Sequence, residues 1–283
     1  MKLYSIETGN FMLDGGALFG VVPKSLWEKR YPTAHQNLCN LSMRALLLVT
    51  ETKKILIDCG MGNTMDENLL QYYFCNGDYS LLDSLHACGY KKEDITDVIF
   101  THLHFDHCGG AITKKHDDTY ELTFPNATYV ISSQQWESAL HPNRRERPSF
   151  LKQNIETIAN SKKIHFIQEN TEYIPGLELR LFYGHTHGQI IPHIRYNNTL
   201  LIYCGDLIPT AAHIPVPYVC GYDILPLTSM SETETFLQYA YEQNATLFFE
   251  HDISVECCSL QKTPKGIFMQ DAFSLQDFCK MNL

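Results

Sequence analysis

Thr101-His102-Leu103-His104-Phe105-Asp106-His107 is the stretch on which the reading of this chain turns. It follows Val98-Ile99-Phe100, a short apolar run with the composition of a buried strand, so the histidines begin where a strand ends. In extended backbone, residues i and i+2 share a face, and His102 and His104 can therefore grip one ion from the end of that strand. Asp106 and His107 sit on the turn that follows and can reach a second ion beside it. Imidazole and carboxylate donors without a thiolate suit zinc and leave manganese, iron or cobalt open. With 13 histidines in 283 residues, the pattern His-x-His-x-Asp-His arises by chance on the order of 10⁻³ times per chain. Chance is a poor account of it.

One motif supplies four ligands, and two ions need more. The others are expected at strand ends, where rigid backbone can hold them. His185 follows the segment Leu177–Tyr183, in Gly184-His-Thr-His-Gly188. Asp206 follows Leu200–Tyr203, in Cys204-Gly-Asp206, and His251 follows Thr246–Phe249, in Phe249-Glu-His-Asp252. A single His or Asp at a strand end is usually a turn or cap residue. Three in succession, in a chain that already carries 101–107, point to ligands.

Further out, Lys2–Glu7 and Met43–Thr50 read as strands. The polar turn 51–54 then leads into Ile55-Leu56-Ile57-Asp58, which has the form of a hairpin. Residues 9–40 look irregular, broken by Gly15-Gly16, Gly20, Pro23 and Pro32, a length that is uncommon unless it serves a site or an interface. Helices are expected near 64–74 and 79–88, the second stopped by Gly89 in a left-handed cap. Strand Ala127–Ser132, helix Ser133–Leu140 and a helix around 149–160 come next, then strand Ile190–Tyr196. Ser231-Glu-Thr-Glu234 reads as a capping box opening a helix to about Gln243. Lys54-Ile-Leu-Ile-Asp-Cys-Gly60 and Thr199-Leu-Leu-Ile-Tyr-Cys-Gly205 echo each other, as two similar half-domains would. Strands in both halves with helices between them suggest packed sheets covered by helices.

Composition narrows the partners. At 44% hydrophobic and 19% charged, with no low-complexity run, the chain is a globular protein with a sizeable core. A formal charge of −10 argues against a nucleic-acid backbone or an anionic membrane as main partner, and a small-molecule substrate is expected instead. Arg144, Arg145 and Arg147 make the densest basic cluster and read as a solvated helix or loop. No segment approaches the roughly 18 apolar residues of a membrane span, and the N-terminus lacks the apolar core of a signal peptide. Ten scattered cysteines without a CxxC pair then read as reduced, mostly buried thiols of a cytoplasmic protein.

The pieces in this order resemble the metallo-β-lactamase superfamily over essentially the whole chain. The resemblance implies a single domain, 1–283, of α/β class, built as a four-layer αβ/βα sandwich with two metals at one edge between the sheets. It places His102, His104 and His185 on one metal and Asp106, His107 and His251 on the other, with Asp206 and a hydroxide bridging them. Asp58 matches a position that orients the histidine loop.

Asp14-Gly-Gly-Ala-Leu-Phe-Gly-Val-Val-Pro-Lys24 and Gly205-Asp-Leu-Ile-Pro-Thr-Ala-Ala-His213 are similar to the branch holding quorum-quenching N-acyl-homoserine-lactone lactonases and methyl parathion hydrolase. That implies lactone hydrolysis with Asp106 shuttling the proton, and members of the branch are often dimers. Phosphotriester and glyoxalase II-like thioester hydrolysis are the alternatives, with a catalytically silent binding or regulatory protein as the reading from another class. Two departures stand out. Lactonases of this group often carry a Tyr shortly after the bridging Asp, where this chain has Leu207-Ile-Pro209, leaving His213 or Tyr222 as substitutes. The third motif reads Gly-His-Thr-His-Gly-Gln189, so His187 competes with His185. Apolar residues of the 15–40 stretch, Phe19, Leu26, Trp27 and Tyr31, either line an acyl-chain pocket or pack as core or dimer contact.

Overall fold

The computed structural model describes residues 1–282, which pack as two compact units. Met1–Phe11 and Met43–Glu169 make the first, and Met12–Ser42 with the chain from Asn170 onward the second. In chain order the elements begin β1 (Lys2–Asp14), α1 (Gly15–Phe19), α2 (Lys24–Trp27), β2 (Leu38–Val49), β3 (Lys54–Ile57), α3 (Glu67–Leu70), α4 (Leu81–Ala87), β4 (Asp97–Ile99) and α5 (Phe105–Cys108). They continue with β5 (Ile112–Lys114), β6 (Tyr120–Leu122), β7 (Thr128–Ser132), α6 (Ser133–Leu140), α7 (Lys152–Ser161), β8 (Ile164–Ile167), β9 (Thr171–Ile174), β10 (Leu177–Phe182) and β11 (Gln189–Tyr196). The chain ends through β12 (Thr199–Tyr203), α8 (Pro226–Glu242), β13 (Thr246–Phe248), β14 (Cys257–Thr263), β15 (Gly266–Phe273) and α9 (Leu275–Met281).

In the first unit the sheet order is β1-β2-β3-β4-β7-β8. The hairpin β2–β3 is antiparallel, and β3, β4, β7 and β8 then run parallel. Parallel neighbours need crossovers: α4 lies between β3 and β4, α5 and the β5–β6 hairpin between β4 and β7, and α6 and α7 between β7 and β8, the apolar sides of α4, α6 and α7 facing the sheet. Their apolar positions Leu85, Ala139, Ile155 and Ile158 pack on Leu56, Val98, Tyr129 and Ile131 in one core. Buried on both sides, β3 and β4 therefore read as unbroken apolar runs rather than alternating ones.

The second unit's sheet runs β15-β14-β13-β12-β11-β10-β9 and is antiparallel except for β12–β13. That one parallel pair is joined through α8, whose Phe236, Leu237 and Ala240 pack on Ile191, Ile202, Leu247 and Cys258. The sequence echo has a structural counterpart. Strands β3 and β12 each pair antiparallel on one side and parallel on the other, and each ends in Cys-Gly with the glycine at positive φ, +68° at Gly60 and +46° at Gly205.

Helix α6 starts and stops as expected, and Gly89 sits at φ +86° after α4. Elsewhere the boundaries move. Residues 9–40 are not irregular throughout: β1 runs to Asp14, whose carboxylate caps α1 by accepting the Ala17 amide, and α2 follows. The helix expected over 64–74 shrinks to Glu67–Leu70. Helix α8 opens at Pro226 and not at Ser231, because a proline fits the first helical turn, where an amide proton has no partner to lose. Strands β14 and β15 and helix α9 carried no strong periodic signal.

Candidate metal centre

The first unit carries His102 and His104 on the tight loop after β4 and Asp106 and His107 on the short helix α5 that follows, all buried. Asp58, wholly buried at the end of β3, organises it. Its carboxylate accepts the Thr101 amide at 2.8 Å, the Thr101 hydroxyl at 2.6 Å and His107 Nδ1–H at 3.1 Å. The Thr101 proton being spent on Asp58, its oxygen accepts from His102 Nδ1 at 3.0 Å. Glu146 Oε1 lies 3.2 Å from His104 Nε2 and takes that proton. These acceptors fix the tautomers. His102 Nε2 and His104 Nδ1 are then two lone pairs facing each other at 3.0 Å, a repulsive pairing that a cation relieves. His107 Nε2 is likewise left as an acceptor, 3.9 Å from Asp106 Oδ2.

Close backbone contact holds the loop down. Cys59 N donates to His107 O, and Gly110 N to Gly60 O. A Cβ on Gly110 would lie 2.0 Å from the Cys59 carbonyl oxygen, so the position accepts no side chain.

The second unit presents its three ligands on three separate turns. His185 follows β10, Asp206 follows β12 and His251 follows β13. His185 Nδ1 donates to Asp223 Oδ1 at 2.9 Å, and His251 Nδ1 to the Ser42 carbonyl at 2.8 Å. The Nε2 atoms of both rings are left as acceptors, and they converge on the Asp206 carboxylate at 3.2 and 3.1 Å. Three electron-pair donors meeting in one unit suit a divalent ion. The donor set of each unit thus fits a metal on its own terms. Cysteines beside the motifs do not join it: burial pushes the Cys108 thiol up to about 12 and raises that of Cys204 well above its ordinary value, so both stay protonated.

Of the two histidines in the 184–188 turn, His185 is 3% exposed and His187 faces solvent. Gly184 abuts Ser229, and Glu232 accepts the amides of Tyr183 and Gly184, so α8 clamps the turn. Phe19, Trp27 and His213 are buried together in the second unit. The Phe19 ring stacks on Trp27 at 4.8 Å and on His213 at 4.5 Å. His213 Nε2 donates to Leu18 O while Nδ1 accepts from Thr210 Oγ1, and burial lowers its pKa. With both nitrogens committed, His213 is not placed to stand in for the missing tyrosine. Tyr222 is 42% exposed, as is much of Leu26, while Tyr31 is buried and donates to Asn40 O.

Sequence reading missed Glu146, Asp223 and Ser42, the groups that orient His104, His185 and His251. A backbone carbonyl such as that of Ser42 has no sequence signature. Glu146 had a faint one, as the single acid inside the 144–147 arginine cluster.

Residues 44–251, well over half of the chain, match the Metallo-beta-lactamase superfamily, and the chain belongs to it. It is an enzyme of the metal-dependent hydrolase class. Among its relatives, an N-acyl homoserine lactonase of Bacillus cereus is 27% identical over 268 residues, spanning 90% of this chain and 94% of its own. A probable metal-dependent hydrolase from Staphylococcus aureus superposes with a TM-score of 0.87 at 28% identity, covering 96% of this chain and 98% of that one. AidC, a dizinc quorum-quenching lactonase in complex with a product homoserine, shares the fold at a TM-score of 0.76 and 23% identity, covering 96% and 94%. Among the described residues no helix is long and apolar enough to cross a membrane.

Proposed function

We propose that the two units act as one hydrolase domain in which His102, His104, Asp106, His107, His185, Asp206 and His251 hold two divalent cations, zinc foremost. The substrate is a lactone of the N-acyl-homoserine type. One observation supports the metal reading above all. Each of the five imidazoles has one nitrogen tied to an oxygen acceptor of its own unit, so that the other is left as an electron-pair donor. Support for the substrate comes from the lactonase of Bacillus cereus, aligned along nine-tenths of the chain.

Two divalent cations, when bound, supply Lewis acidity toward an ester carbonyl and lower the pKa of water from 15.7 to about 7. The chain's own part is orientation and proton transfer. Asp106, on the first turn of α5, accepts a proton from the attacking water and returns it to the ring oxygen as the acyl C–O bond breaks. Asp206, 3.2 and 3.1 Å from the Nε2 atoms of His185 and His251, would share the cations with those two rings.

The test pairs metal analysis with a hydrolysis panel of lactones, thioesters and phosphotriesters. The expected result is two metals per chain and preferred turnover of an N-acyl homoserine lactone, abolished by a chelator and restored by zinc. Two metals with turnover confined to phosphotriesters or thioesters would remove the substrate assignment. Two metals without turnover on any class would favour a binding protein, and a chain that binds no metal would remove the whole reading.

A further inference from the structure

We propose that Glu146 is a positioning residue for the metal-binding side chain His104, fixing which of its nitrogens is presented. The inference rests on the dinuclear reading above. Residues 141–149 form a loop whose side chains point mostly to solvent, including Arg144, Arg145 and Arg147. Glu146 alone within it is buried, 4% exposed. A buried carboxylate costs several kcal/mol unless it is partnered, so its inward turn calls for a physical reason.

The contacts supply one. Glu146 Oε1 lies 3.2 Å from His104 Nε2, and Oε2 accepts from Asn143 Nδ2 at 3.1 Å. Asn143 also sets the loop's path, since its Oδ1 accepts the amides of Arg145 and Glu146, both at 2.9 Å. Phe150, which closes the loop, meets the His104 ring edge-on at 5.2 Å. The ring is therefore held on one edge by a carboxylate and on one side by an aromatic face, both from the same ten residues. Holding the proton on Nε2 leaves only Nδ1 to face His102 Nε2. Without an acceptor at Nε2 the imidazole would populate both tautomers, and in one of them the donor atom is lost. A carboxylate partner also raises the basicity of the imidazole it holds.

The experiment compares wild type with E146A, E146Q and N143A by two readouts. Nitrogen-15 NMR of the metal-free proteins reports the His104 tautomer, and zinc titration against a competing chelator reports the affinity of each site. In wild type His104 is expected as the Nε2–H tautomer. E146A should show mixed tautomers and lose about 10–100-fold in affinity at one of the two sites, the scale of a lost outer partner of a metal ligand. E146Q keeps an acceptor oxygen and should hold the wild-type tautomer. N143A, which frees the carboxylate and loosens the loop while leaving Glu146 in place, should move both readouts less and in the same direction. If metal-free E146A does not melt cooperatively, N143A and E146Q carry the comparison. An unchanged tautomer and affinity in E146A would overturn the proposal, as would an E146Q that has lost the tautomer. A wild-type chain that binds no zinc would sink the dinuclear reading instead, while the tautomer still tests Glu146.

Discussion

The two units present their ligands in opposite ways. In the first, four ligands occupy six consecutive residues, and one carboxylate, Asp58, serves two of them, His107 directly and His102 through Thr101, while Glu146 holds His104. In the second, three ligands lie on three turns separated by β11 and β12 and by α8, and each of the two histidines has its own anchor. Asp223 serves His185, the Ser42 carbonyl serves His251, and Asp206 meets both rings. A compact loop lets one buried residue, Asp58, serve two ligands at once. A dispersed set spreads that task over the sheet, so that damage at one anchor stays local. The comparison therefore makes graded claims about what each substitution breaks.

The largest effect belongs to Asp206, where both imidazoles of the second unit converge. Asp206→Asn removes the charge with little change of shape, and turnover should fall by about a thousandfold, the upper range for losing one preorganised electrostatic group. A circular-dichroism melt should show the fold retained. Turnover near that of the wild type would mean the second unit's ligands do not act together.

Asp58 comes next. Its backbone stands at φ +57°, a conformation asparagine tolerates better than most residues, so Asp58→Asn keeps the turn while weakening the grip on Thr101 and His107. Metal affinity should drop by about 10–100-fold, with both sites affected because His102 is oriented through the same threonine. Asp223→Asn, by contrast, should weaken one site by about tenfold and leave the other untouched. Chelator-competition titrations that resolve two binding steps check both. Equal damage from the two variants would erase the distinction between a shared and a private anchor.

The same contrast explains what could be read before folding. The 101–107 loop was legible because its chemistry is contiguous and it directly follows the apolar run Val98-Ile99-Phe100. His185, Asp206 and His251 were legible only as strand ends, since each of β10, β12 and β13 announces itself by alternation or burial. Their anchors were not. Asp223 lies 38 residues from the ring it holds, and Ser42 acts through a carbonyl 209 residues away. Pairing over such distances is a property of sheet register and not of local pattern. The choice between His185 and His187 shows the limit on a finer scale. Sequence offered both, and the clamp of Glu232 and Ser229 on the turn buries only the first.

His193 supplies the smallest prediction and a control for the rest, because it is a buried histidine of the second unit that belongs to no ligand set. It lies on β11, 2% exposed, with its ring against Phe236 and Tyr239 and Nδ1 donating to the Ile191 carbonyl. Burial lowers its pKa from 6.5 to about 4, with nearby Arg180 pushing the same way and the Ile191 bond and Glu178 opposing. The sign follows from linkage. Between pH 6.5 and 4 the unfolded chain takes up a proton that the folded chain refuses, so the unfolded state gains as pH falls. From pH 7.5 to 5.5 this one residue should remove about 1 kcal/mol of stability. His193→Gln abolishes that titration, and urea midpoints for variant and wild type should converge as pH falls from 7.5 to 5.5. A constant gap across that range would show that native His193 takes up its proton as readily as the unfolded residue does, contrary to a ring sealed between β11 and α8. The ligand histidines differ from it in one physical respect. Their second nitrogens face other electron-pair donors, whereas His193 faces only packing.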